Sequence, residues 1–169
     1  MATPPAQILL ADIRAAIASA LGASVSVTVG NQTLALTADR ISQGFVPEEP
    51  DQEFFKDVEK RGPAMNVDWG RQSTWNLWDE KQNTFTGHWP EFEFPVRLWV
   101  SFTRNKKTDP TLIEALVEAI EHAWGAMGSG SNPPKSISFT PEVRPDLAPG
   151  IVCYTFVLVF VGAYHLTGN

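Results

Sequence analysis

The sequence predicts an α+β fold: a mostly antiparallel sheet with two amphipathic helices packed on one face, plus a long Trp-rich loop or arm. Three observations carry this. Residues 151–164 (IVCYTFVLVFVGAY) form an uncharged run rich in β-branched and aromatic side chains, which favour a pleated, packed surface. Residues 92–102 (FEFPVRLWVSF) alternate between an apolar and a mixed face, the period of a strand. Two other segments repeat apolar residues at helical spacing. Few helices among many strands suit an α+β sandwich.

The first helix is predicted over residues 8–21. Ile8, Leu9, Ile13, Ile17, Ala20 and Leu21 recur on one face, Pro4 and Pro5 precede them, and Gly22 offers a stop. Residues 24–29 (SVSVTV) then alternate. Gly30-Asn31 is a two-residue turn signal, and residues 32–36 alternate again, which makes a β-hairpin.

From residue 37 to about residue 90 the character changes, and this stretch is read as an arm or insertion on a single domain covering residues 1–169. Pro47, Pro50 and Pro63 punctuate it, and Glu48, Glu49, Asp51 and Glu53 make its first part acidic. Phe54, Phe55 and Val58 suit a short helix there. Trp69, Trp75, Trp78 and Trp89 follow, interleaved with polar residues. Two readings stand beside each other. Trp rings among polar residues suit a surface that docks a partner; they equally suit a small satellite core.

In residues 92–102 one face is Phe92, Phe94, Val96, Leu98, Val100 and Phe102; the other is Glu93, Arg97, Trp99 and Ser101. Pro95 donates no hydrogen bond, which points to an edge or a bulge. The second helix opens with Asp109 as N-cap and Pro110 at its first position. Ile113, Leu116, Val117, Ile120, Trp124 and Met127 make its apolar stripe, while Glu114, Glu118 and Glu121 face outward. A short strand over residues 135–140 precedes the last run. That run is apolar on both faces, so it needs cover on both sides, from its own chain or from another copy.

Composition narrows the function classes. A net charge of −6 argues against binding nucleic acid through phosphate neutralisation. A spanning helix needs roughly 20 apolar residues, and the last run is shorter and lacks basic anchors, so no membrane role is expected. Asp12 and Arg14 interrupt the first apolar stretch, unlike a signal peptide. The single cysteine, Cys153, reads as a small buried hydrophobe, and cytoplasmic folding is the default.

Catalytic patterns do not emerge. In GSGSNPPKS, Pro134 stands where a phosphate-binding loop needs a glycine before Lys135. His88, His122 and His165 have no second His or Cys at ligand spacing. The acidic run at residues 48–53 lacks the ligand spacing of a calcium loop. No enzyme activity, metal or cofactor is expected.

The order of elements resembles the tail terminator (tail completion, or neck) proteins of long-tailed bacteriophages. The parts that match are the first helix (residues 8–21), the strand ending in a polar turn (92–107), the acidic amphipathic helix (110–124) and the two closing strands (135–140 and 151–165). Together they cover roughly half of the chain. The segment from residue 37 to 89 departs from the family's minimal fold by its length and its tryptophans, which leaves open a terminator, another neck protein or a head–tail joining protein.

The resemblance implies a structural virion protein that forms a ring with itself, commonly a hexamer. Such a ring caps the tail tube, ends its polymerisation and joins the tail to the head connector. The implied partners are the tail tube protein and the head–tail connector protein, with DNA passing through unbound. The implied location is the tail or neck of the virion, after assembly in the host cytoplasm. On the residues themselves, Trp69, Trp75 and Trp78 are the expected contacts to a neighbour or to the tube, and Arg97, Trp99 and Ser101 the expected exposed sheet face. A rival reading is a monomeric ligand- or carbohydrate-binding module that uses the Trp-rich arm.

Overall fold

The computed structural model describes residues 10–22, 24–44, 50–72, 78–79, 84–85, 91–102, 110–127, 136–143 and 150–161. The elements run α1 (Leu10–Ser19), β1 (Ser24–Val29), β2 (Gln32–Thr37), a 3-10 turn (Ala38–Arg40), β3 (Ile41–Gln43), α2 (Gln52–Arg61), β4 (Ala64–Val67) and β5 (Arg71–Gln72). There follow β6 (Trp78–Asp79), β7 (Thr84–Phe85), β8 (Glu91–Ser101), α3 (Pro110–Gly125), β9 (Ser136–Val143) and β10 (Ile151–Val161). The fold is α+β.

The main sheet has the order β3-β4-β8-β10-β9, with β5 also on β8. Only β3 and β4 run parallel; the other pairs are antiparallel. The β1–β2 hairpin forms as the Gly30-Asn31 signal predicts, with Val29 opposite Gln32. Gly30 has φ +60°, a conformation that favours glycine.

Alternation sorts the sheet's two faces. Phe94, Val96 and Leu98 of β8, Phe156, Leu158 and Phe160 of β10, and Met65 and Val67 of β4 point to one side. There they meet Ile13 and Ile17 of α1, Leu34 and Leu36 of the hairpin, and Leu112, Ile113, Leu116, Ile120 and Trp124 of α3. Trp124 stacks edge-on against Phe156, with ring centroids 5.0 Å apart, and its Nε1–H donates to the carbonyl of Ile17 at 3.1 Å. The two helices expected on one face are therefore α1 and α3, tied to each other across the core.

The other face carries a third helix, α2, where Phe54, Phe55 and Val58 suit one, so the sheet has helical cover on both faces. Phe55 and Val58 pack with Ala64, Trp99, Ile151 and Cys153 in a second cluster. The helix starts where Asp51 accepts the Phe54 N–H at 2.8 Å, an N-cap. It ends at Gly62, with φ +105°. Much of the segment expected as an arm is thus part of the sandwich: β3, β4 and β5 extend the sheet and α2 covers it.

Candidate interaction surface

The end of the second face that lies under α2 is closed. Trp99 is 4% exposed, with the Phe54 and Phe55 rings edge-on to it at 5.7 and 5.8 Å. Ser101 is 3% exposed. The exposed sheet face expected from Arg97, Trp99 and Ser101 is therefore corrected: Trp99 and Ser101 are buried and Arg97 is half-buried, its side chain 19% exposed. The mixed composition of that face looked solvent-facing, but a helix from a distant part of the chain lies over it. Cys153, opposite Trp99 in the ladder, is buried, as its apolar surroundings predict.

An ionic clip holds α2 in place. Arg40, just before β3, donates from Nη1 to Asp57, from Nη2 to the Gly62 carbonyl at 3.0 Å and from Nε to the Pro63 carbonyl at 3.2 Å. Its guanidinium holds the Asp57 carboxyl below the usual carboxylate range, and Arg61 adds to this. Arg61 also reaches Asp39 at 3.1 Å. Asp39 is held low first by the Thr37 hydroxyl, which donates to it at 2.5 Å.

Beyond α2 the same face opens. Pro95, Arg97, Thr155, Val157 and Val159 are half-buried, and none joins the cluster under α2. The two-sided cover that the last strand needs is complete at its Ile151 end and partial from Thr155 onward. Arg97 lies opposite both Thr155 and Asn66, and its Nη1 is 3.8 Å from Asp68 Oδ2.

Asp68 begins a bulge. Val67 pairs with Val96 and Arg71 with Glu93, so residues 68–70 stand opposite only Phe94 and Pro95. The Asp68 N–H donates to the Pro95 carbonyl at 2.9 Å. A residue's N–H and C=O point to the same side of a strand, so the donor that Pro95 lacks faces the bulge, where the ladder is interrupted. The bulge half of the Pro95 expectation holds; the edge half does not, since β8 is interior.

At the bulge's middle stands Trp69. It is 56% exposed and the one large exposed hydrophobic side chain among the described residues. Its N–H donates to Asp68 Oδ1 at 2.7 Å. The guanidinium carbon of Arg14, on α1, sits 3.7 Å from the centre of the Trp69 ring, within cation–π range. Arg14 Nε and Nη1 are buried with no hydrogen-bond partner. Arg14 was visible in the sequence as the charge that breaks the first helix's apolar stripe, but nothing local linked it to Trp69.

Of the other expected contacts, Trp78 pairs through its backbone with Phe85, and Trp75 lies outside the described residues. Among the described residues, no three His, Cys, Asp or Glu side chains come together as a metal site, and no helix is long and apolar enough to cross a membrane. No protein-family model and no curated protein matches the chain.

Proposed function

We propose that this chain is a ring-forming structural protein of a long-tailed bacteriophage, which caps the tail tube, ends its polymerisation and joins it to the head connector. The observation that carries the reading is that α1, β8, α3 and the β9–β10 pair, the parts on which the resemblance rests, pack as one unit with both helices on one sheet face. That leaves the other face only half-buried beyond α2 and, on the α1 side of the sheet, an exposed Trp against Arg14; a ring contact needs such surfaces. Rings are built from heterologous contacts between two different patches whose rotation closes. A net charge of −6 lets DNA pass a bore without being held.

The test is the mass in solution by light scattering over a wide concentration range, with electron microscopy of the particles and of tail tubes mixed with them. The expected result is a closed ring, a hexamer, that seats on tube ends and stops their growth. A strict dimer at every concentration overturns it. A stable monomer that binds a small ligand or sugar saturably overturns it in favour of a binding module.

A further inference from the structure

We propose that Arg14 and Trp69 anchor the contact between ring neighbours, and that what they receive is the outer face of α3 in the adjacent copy. The inference rests on the ring reading above and names the contact within it.

Trp69 is unusual because it is both exposed and fixed. Asp68 pins the bulge twice, through its own N–H to Pro95 and through its carboxylate to the Trp69 N–H. Gly70 is pressed against Phe94 on the other side. The Arg14 guanidinium lies over the ring, its central carbon 3.7 Å from the ring centre. An aromatic ring held in place before binding loses little entropy when it docks, and Trp and Arg are the residues most enriched where interface energy concentrates.

Charge selects the occupant. Arg14 is a half-buried cation whose Nε and Nη1 are closed off without hydrogen-bond partners; a carboxylate brought against its remaining Nη2 edge offsets the cost of that burial through charge. The chain itself carries acid in excess, 19 Asp and Glu against 13 Lys and Arg. On α3, Glu114 and Glu118 are exposed and Glu121 is half-buried, at the spacing of one helix face. Ala115 and Ala119 lie beside them, half-buried, and such small side chains let a flat ring approach the helix closely. The donor patch is on α1 and the bulge, and the receiving patch is on α3. Two different patches make a head-to-tail contact, which gives a ring when the rotation between neighbours closes, and not a two-fold dimer.

The test uses the full chain with Trp69→Ala, Arg14→Glu, Glu118→Arg, and the double change Arg14→Glu with Glu118→Arg. Mass is read by light scattering; circular dichroism and thermal melting report the fold. Trp69→Ala and each single charge reversal are expected to weaken ring formation tenfold or more with the fold intact, and the double reversal to recover it. If Arg14→Glu does not fold, Trp69→Ala carries the test alone. A wild-type ring that persists in the folded single variants overturns this contact and leaves the ring reading standing. A double reversal that folds and stays dissociated overturns the assignment to α3. A wild-type chain that forms no ring, alone or on tail tubes, overturns both.

Discussion

Gly70 lies so close to the Phe94 ring that a Cβ built on it falls 2.5 Å from both Cε1 and Cζ. Phe94 has little room to yield. It is fully buried and stands edge-on to Phe160 with centroids 5.6 Å apart. Gly70→Ala is therefore expected to destabilise the fold by about 1–3 kcal/mol, the usual cost of overpacking a core. Urea denaturation of the two proteins measures it. Since Gly70 follows Trp69, the same change should also loosen the exposed ring.

The bond from Trp124 to Ile17 joins α3 to α1 far along the chain, and both ends are buried. Trp124→Phe keeps most of the ring against Phe156 but removes the donor, leaving the Ile17 carbonyl without it. The expected loss is about 1–3 kcal/mol, the cost of a buried acceptor left unpaired. A thermal melt of the variant that matches wild type would show that the bond adds nothing net.

Local chemistry explains which of these features can be read from the chain. The hairpin follows from Gly30-Asn31, and α3 follows from Pro110 and its apolar stripe, whose last member, Met127, lies just past the helix end at Gly125. The two-faced apolarity of β10 demanded cover on both sides, which its Ile151 end receives from α2 and the rest of that face only in part. Trp99 was misplaced because a strand's own sequence cannot show that a helix from residues 52–61 lies over it; the signal, Phe54, Phe55 and Val58 at helical spacing, marked a helix but not its destination. Arg14 and Trp69 meet only because α1 packs on the sheet face beside β4 and the bulge that follows it, a tertiary fact with no local trace. Pro95 is intermediate: its missing N–H demanded an interruption of the ladder, and only the paired strands show that the interruption is a bulge.

Asp57 gives the α2 clip a pH dependence. Its folded pKa lies below the ordinary 3.8, so its stabilising effect is fully present well above that value. The effect is lost as pH falls from there through the lower folded pKa. Asp57→Asn lacks this carboxylate. The variant is expected to be less stable than wild type near neutral pH, and the gap should close as the pH drops below 3.8. Denaturation of both proteins at a series of acidic pH values isolates the effect, because the other carboxylates are common to both. A gap that stays constant through that range would show that the Asp57 charge is not what holds the helix.

Arg40 is the centre of the same clip and offers a sharper test, because its three bonds need a planar fork. Its side chain is 9% exposed, and it joins the Asp57 carboxylate to the carbonyls of Gly62 and Pro63, where α2 ends and β4 begins. Lysine keeps the charge but presents a single ammonium in place of the fork. Arg40→Lys is expected to keep the pairing with Asp57 and to lose at least one carbonyl, with a loss of about 1.5–3 kcal/mol, as for hydrogen bonds to a charged group. The damage should be local. Amide hydrogen exchange should rise over α2 and β4, while α1 and α3, on the opposite face, keep their protection. Uniform loss of protection over both faces would mean that α2 and the main core unfold as one unit.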